Sequence, residues 1–135
     1  MMQRILFVSD GPIDQSLRSA LEERRFELAE SDSRRDLDEL TIGSCDLLVI
    51  DVRAAAQAIE LLKKVRSATT SRKVLTLVIA EWGTGQPTVA LSKGAEAFEP
   101  APINAPRLVA AVEKLLRPRM VMTAKASTTD RESDE

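Results

Sequence analysis

The feature that most constrains the fold is a buried-strand pattern that ends in a carboxylate. Residues 47–50 form a continuous apolar run of strand length, and Asp51 closes it. Such a run is typical of a strand buried on both faces of a parallel sheet, and the carboxyl ends of these strands are where such sheets hold their sites. The same design occurs near the N terminus, where the apolar residues 5–8 lead into Ser9 and Asp10. The sequence therefore predicts two carboxylates at strand exits.

Strand and helix patterns alternate as far as residue 116. Strand patterns occupy five segments, at residues 4–9, 26–30, 47–50, 74–80 and 97–98. Helical apolar spacing predicts five helices: a first helix with Pro12 in its first turn, then helices at residues 33–40, 55–65 and 87–93, and a last one from a cap at Asn104 to residue 116. This alternation implies a parallel sheet with helices on both faces and right-handed crossovers.

The apolar runs also indicate the order of the strands. The first, third and fourth strands are continuously apolar and should be central, whereas the second alternates and the fifth is cut short by Pro100 and Pro102. We therefore predict an α/β fold of the flavodoxin-like, doubly wound type with strand order 2-1-3-4-5. The first and third strands are neighbours in that order, so Asp10 and Asp51 should face one crevice.

Composition limits the possible function classes. The chain has 135 residues, 44% of them apolar, and a formal net charge of −2. We therefore expect one domain over residues 1–118, a disordered polar tail over residues 119–135, no nucleic-acid or membrane partner and a cytoplasmic location. There is no histidine, and Cys45 is the only cysteine, which excludes Ser-His-Asp and Cys-His catalysis and imidazole zinc sites. We expect no enzymatic activity and no catalytic residues.

The expected carboxylate pair favours a cation. Two carboxylates about 4 Å apart repel by roughly 4 kcal/mol at an effective dielectric constant of 20, so the pair should take up a proton or attract a positive ion. Ligands that are all oxygens favour a hard ion, and Mg²⁺ held by one or two carboxylates, a carbonyl and waters is the natural candidate. The alternative is that Asp10 and Asp51 cap the helices that follow them.

A segment near the C terminus carries a more specific motif. Residues 94–102 read Gly-Ala-Glu-Ala-Phe-Glu-Pro-Ala-Pro, and together with the strand-end carboxylates they resemble the receiver domains of two-component response regulators, whose motif is G-A-x-x-[FY]-x-x-K-P. The resemblance implies that Asp51 is the position that accepts a phosphoryl group from a histidine kinase in a phosphorelay. It also implies that Asp10, Asp51 and the carbonyl of Arg53 bind Mg²⁺. Phe98 falls on the family's aromatic switch position and Pro102 on a proline that follows a cis peptide.

The departures from this pattern point to a degenerate site. Ser9 replaces a carboxylate, and Ala101 replaces a lysine. The family's hydroxyl residue of the fourth strand falls on Ala80, with Ile79 the only nearby alternative. Charge-assisted contacts of the lost kind are worth about 1.5 to 3 kcal/mol each. We therefore expect an atypical pseudo-receiver that works without phosphorylation and binds Mg²⁺ weakly, if at all. The alternative is a phosphoaccepting single-domain response regulator that uses Asp51 with Mg²⁺.

Residues 83–94 have the weakest helical pattern of the predicted helices, and low local stability is typical of a binding element that adapts to its partner. By resemblance, the face made by the fourth predicted helix, the fifth strand and the fifth predicted helix should bind a protein partner or a second copy. Arg107, Glu113 and Lys114 are the expected exposed charges on that face. Trp82 could anchor a partner or pack over the mouth of the crevice, and Arg53 could stand in for the missing lysine or be solvated.

Overall fold

The computed structural model describes residues 3–32, 45–68 and 74–116. Nine elements follow one another in these segments: β1 (Arg4–Ser9), α1 (Gln15–Glu23), β2 (Glu27–Asp32), β3 (Leu47–Ala54), α2 (Ala55–Ala68), β4 (Leu75–Glu81), α3 (Gln86–Ser92), β5 (Ala97–Pro100) and α4 (Ala105–Leu116). The helix predicted at residues 33–40 and the tail predicted at residues 119–135 lie outside the described residues. No helix in the three described segments is long and apolar enough to span a bilayer.

The five strands form one parallel sheet in the order β2-β1-β3-β4-β5. This confirms the predicted doubly wound, flavodoxin-like topology. The Cα atom of Asp51 in β3 is paired with that of Ser9 in β1 on one side and with that of Ile79 in β4 on the other. Ser9, Asp51 and Ile79 therefore lie level with one another near the carboxyl edge of the sheet, and the pairing of β3 with β4 becomes irregular just after Asp51.

The sheet separates two apolar cores. On one face Leu48 and Ile50 of β3 pack with α2 and with Ala90 of α3. On the other face Leu47 and Val49 pack with α1 and α4. All four of these β3 side chains are 0% exposed. The continuous apolar run marks a central strand because helices cover both of its faces.

The start of α1 differs from the prediction. Pro12 lies before the helix, which begins at Gln15 with Asp14 as its N-cap. An Asp14 carboxylate oxygen accepts the Ser16 backbone N–H at 2.9 Å, and this hydrogen bond lowers the pKa of Asp14. The cap at Asp14 satisfies a free N–H of the first turn, so the helix begins there and not at the proline. The predicted cap of the last helix is confirmed, since Asn104 Oδ1 accepts the Arg107 N–H at 2.9 Å.

Candidate functional site

The two strand-end carboxylates lie at one crevice. Asp51 is half-buried in β3, where it forms the last pair of that strand with β1, and Asp10 is exposed just after β1. Burial raises the pKa of Asp51, and the negative charge of Asp10 raises it further. The structure therefore brings Asp10 and Asp51 close enough to repel each other, as the strand order predicts.

Neither carboxylate caps the helix that follows it. Asp10 Oδ2 lies 3.4 Å from the backbone nitrogen of Arg53, which donates a long hydrogen bond to it across the crevice. The cap of α1 is Asp14. Asp51 lies inside β3, which continues to Ala54 before α2 begins. The capping alternative therefore does not explain the placement of Asp10 and Asp51.

The ligands at the crevice are of the type that a hard cation prefers, but they are few. Asp10 and Asp51 offer carboxylate oxygens, which Mg²⁺ prefers. The hydroxyl of Ser9, which stands where a further carboxylate is expected, donates instead to the carbonyl of Gly11. Across the described ranges no group of three or more His, Cys, Asp or Glu side chains is placed to hold a metal ion. Two carboxylates supply less ligand charge than three, and hard-cation affinity follows ligand charge.

The positions expected to hold a phosphoryl group are apolar. Ala80 is fully buried in the core beneath α2 and α3, and its carbonyl accepts the backbone N–H of Ala101 at 2.9 Å. Ala101 packs against the opposite core. The peptide bond between Ala101 and Pro102 is cis, which agrees with the expectation from the motif. Neither alanine side chain can donate a hydrogen bond into the crevice.

Arg53 does not compensate for the missing lysine. Its side chain is 73% exposed, and its guanidinium pairs with Glu81 at the end of β4, with Nε and Oε2 3.3 Å apart. Nearby positive charge would favour the ionised form of Asp51 and lower its pKa, but the pKa is raised. The solvated interpretation of Arg53 therefore fits the structure better than a role beside Asp51.

Trp82 links the loop after β4 to β5. Its indole Nε1 donates to the carbonyl of Glu99 at 2.8 Å, and its ring meets that of Phe98 edge to face, with centroids 5.8 Å apart. The carboxylate of Glu99 accepts Arg107 Nε of α4 at 2.5 Å. The indole is half-buried against the core beneath α2 and α3, so Trp82 packs against β5, and its two predicted roles, a partner anchor or a cover over the mouth of the crevice, stay predictions.

The three predicted face residues of α4 do not lie together. Arg107 and Lys114 are seven residues apart, or nearly two helical turns, and so share one side of the helix. Glu113 points toward α1, where its carboxylate lies 3.0 Å from Arg24 Nη1. Beside that ion pair a groove of about 320 Å³ separates α1 from α4, floored by small and apolar side chains. Glu113 therefore belongs to the α1 side of the domain and not to the face beside β5.

Comparison with known proteins identifies the fold. No protein-family model and no curated protein sequence matches the chain. Among solved structures, the signal receiver domain of a putative Luxo repressor protein from Vibrio parahaemolyticus superposes with a TM-score of 0.70 at 18% identity, covering 96% of this chain and 100% of that one. The chain has the signal receiver fold.

Two further solved structures with the receiver fold agree. The signal receiver domain of a histidine kinase from Syntrophus aciditrophicus gives a TM-score of 0.68 at 20% identity, covering 97% of this chain and 98% of that one. A two-component response regulator from Clostridium difficile gives a TM-score of 0.65 at 22% identity, covering 87% of this chain and 98% of that one. At these identities the comparison establishes the receiver fold and leaves function to the residues of the site.

The sequence patterns did not predict the acidic residues that pair with Arg53, Trp82 and Arg107. Glu81 neutralises Arg53, and Glu99 joins Trp82 to Arg107. Each of these contacts joins residues from different elements whose relative positions depend on sheet register. The one available signal was position, because Glu81 and Glu99 both lie near the carboxyl ends of their strands.

Proposed function

We propose that this chain is a receiver-like signalling module that acts through protein–protein contacts and does not depend on phosphorylation of Asp51. The observation that carries the proposal is that methyl groups occupy both positions where the receiver motif implies a hydroxyl and an ammonium. Ala80 is fully buried, and Ala101 is packed against a core. A phosphoryl group on Asp51 would find no hydrogen-bond donor at either side chain.

Electrostatics at the crevice support the same proposal. A phosphoryl group carries about −1.5 to −2 charges at pH 7 and would sit beside the carboxylate of Asp10. The guanidinium of Arg53 is held by Glu81. Each missing charge-assisted hydrogen bond is worth about 1.5 to 3 kcal/mol, so two of them lower the stability of a phosphorylated state by a factor of at least about 100. Mg²⁺, if bound through Asp10 and Asp51, would offset part of the carboxylate repulsion.

The proposed binding surface is the edge formed by α3, β5 and α4. In the described part of the chain, the large apolar side chains that are exposed lie on α3 and β5: Val89 at 41%, Leu91 at 44% and Phe98 at 38%. Exposed basic residues of α4, Arg107 and Lys114, are present at the same edge. Apolar side chains beside charged ones suit a modest protein contact, with a second copy or a different protein, including a histidine kinase, as the partner.

Exposure of the purified chain to a small phosphodonor with Mg²⁺, followed by intact-mass measurement, tests the first part of this proposal. We expect no stable mass increase. A mass increase that disappears in Asp51→Asn would instead favour the phosphoaccepting single-domain regulator. Sedimentation velocity over a range of concentrations tests self-association, and Val89→Asp, which places a charge on the exposed side of α3, should reduce it.

A further inference from the structure

Helix α3 is poorly held by its own packing. Of its seven residues only Ala90 is buried, so the helix buries little apolar area of its own. Gly85 occupies the N-cap with φ of 80° and has no side chain to cap the helix. A helix this short is not stable alone, because isolated helices need about 12 to 15 residues even with favourable sequences. Contacts from outside the helix must therefore fix its position.

The first such contact is made by Arg66 at the exit of α3. Arg66 lies in the last turn of α2, and its guanidinium donates to the carbonyl of Val74 at 2.8 Å, to the carbonyl of Gly94 and to the carboxylate of Glu96 at 3.1 Å. Its side chain is 18% exposed and that of Glu96 is 19% exposed. This largely desolvated ion pair joins α2 to the turn between α3 and β5.

Buried groups of β4 complete this contact. Thr76 is fully buried, and its hydroxyl accepts Arg66 Nη2 at 3.0 Å. The backbone N–H of Thr76 donates to Glu96 Oε1 at 2.8 Å. Hydrogen bonds from both Arg66 and a strand amide converge on the Glu96 carboxylate, and such charge-assisted bonds are the stronger class.

The turn itself is built around the guanidinium. Gly94 has φ of 111°, and a Cβ atom at this position would lie 2.6 Å from Arg66 Nε. Only glycine permits both this backbone conformation and this approach. The chain leaving α3 therefore passes directly over the Arg66 side chain.

The second contact lies at the entry of α3 and is made by Trp82. Its indole donates to the carbonyl of Glu99 and packs on Phe98, both in β5. Between Trp82 and the helix, the backbone N–H of Gly83 donates to the side chain of Gln86 at 2.6 Å. The entry to α3 is thus tied to β5 by a side chain that precedes the helix.

We propose that α3 is a strap, that is, a short helix held in place at its two ends by Arg66 and Trp82. The helix can open locally while the sheet stays folded. The helix contributes little burial of its own, so these two side chains supply a large part of the free energy that keeps it closed. They also fix the orientation in which Val89 and Leu91 meet a partner; this consequence rests on the proposed function.

The test of the strap is amide hydrogen exchange, measured by mass spectrometry on the full chain. The exchange rates of Arg66→Met are compared with those of the wild type. We expect residues 83–98 to exchange at least about tenfold faster, because charge-assisted hydrogen bonds are lost there, while β1 and β3 stay within about twofold. Lys63→Met is the matched control, since Lys63 lies on α2 and pairs with Glu60 at the surface. It should leave both regions within about twofold of wild type.

Three results would overturn the strap: no change at residues 83–98, an equal acceleration in β1 and β3, or failure of Arg66→Met to fold. The second anchor has its own variant, Trp82→Phe, which keeps an aromatic ring but loses the N–H donor and should accelerate residues 83–92 without affecting β1. An unchanged rate at residues 83–92 would remove Trp82 from the proposal. If exchange behaves as expected while Val89→Asp leaves every association unchanged, the strap stands and the proposed binding function fails.

Discussion

Replacement of Asp51 by asparagine should stabilise the folded chain at neutral pH. Asp51 is half-buried beside Asp10, and burial is the larger cause of its raised pKa, followed by the charge of Asp10. An asparagine side chain at this position is neutral and has nearly the same shape as the carboxylate it replaces. Removal of the charge therefore relieves both the desolvation of the carboxylate and the repulsion.

The expected gain in the free energy of unfolding follows from the strand geometry. Asp51 is paired with Ser9, the residue before Asp10, and neighbouring strands lie about 4.8 Å apart. Two unit charges about 5 Å apart repel by about 3 kcal/mol at an effective dielectric of 20 and by about 0.8 kcal/mol in water. Because Asp10 is exposed, solvent screening places the repulsion near the lower value. We expect a gain of about 1 kcal/mol from relief of repulsion, or about 3 to 4 °C in Tm for a chain of this size.

The pH dependence distinguishes this cause from better packing. The folded pKa of Asp51 lies above its ordinary value of 3.8, so the folded state binds the proton more tightly than the unfolded state. The ionised carboxylate therefore costs stability above its folded pKa, and this cost disappears as the pH falls below 3.8. The advantage of Asp51→Asn in urea unfolding should be full at pH 7 and absent at about pH 3.

A double-mutant cycle with Asp10→Asn separates the two causes. Asp10→Asn relieves only the repulsion, so it should stabilise less than Asp51→Asn, and the double variant should gain little beyond Asp51→Asn alone. A loss of stability in Asp51→Asn at pH 7 would refute the reasoning and make Asp51 a structural residue. A gain that persists unchanged at pH 3 would show that charge is not its source.

Two further predictions concern the metal and the last helix. Mg²⁺ should bind in the millimolar range or more weakly, because Ser9 leaves two carboxylates where the receiver pattern has three. Tight saturable binding in calorimetry would show that the serine lowers the affinity for Mg²⁺ only slightly. Asn104→Ala should lower the free energy of unfolding by about 1 kcal/mol through loss of the α4 cap. Asn104→Asp keeps an acceptor and should lose much less, and equal losses would indicate that the cap bond is unimportant.

The topology was predictable because burial on two faces leaves a direct mark on the sequence. Residues 47–50 are apolar at every position, and the structure covers both faces of β3 with helices. The start of α1 was not predictable from Pro12, because a nearby carboxylate, Asp14, makes a better cap. Competing start signals a few residues apart are decided by local hydrogen bonds, which apolar spacing does not report.

The candidate site was predictable in its acidic centre but not in its surroundings. Asp10 and Asp51 converge because parallel strands in this order end at the same edge. The partners of Arg53, Arg66 and Trp82 depend on where long side chains from separate elements meet, and no periodicity encodes that. The contacts of these three residues therefore had to come from the structure.

Charge reversal on neighbouring residues of α4 tests the proposed binding edge. Glu113 and Lys114 are adjacent in sequence but lie on different sides of the helix, because Glu113 pairs with Arg24 of α1 while Lys114 shares the side of Arg107. Lys114→Glu should weaken self-association or partner capture without lowering Tm. Glu113→Lys should leave association unchanged and reduce stability by no more than about 1 kcal/mol, since it breaks a partly exposed ion pair.

Arg107 is a less clean probe of the same edge. Its reversal also breaks the contact with Glu99, whose carbonyl holds Trp82. Arg107→Glu should therefore weaken association and also shift the fluorescence of Trp82, the one tryptophan of the chain. Lys114→Glu should affect association alone. If sedimentation shows that Glu113→Lys disrupts association while Lys114→Glu does not, the partner binds on the α1 side of α4, and the edge formed by α3, β5 and α4 is not the functional surface.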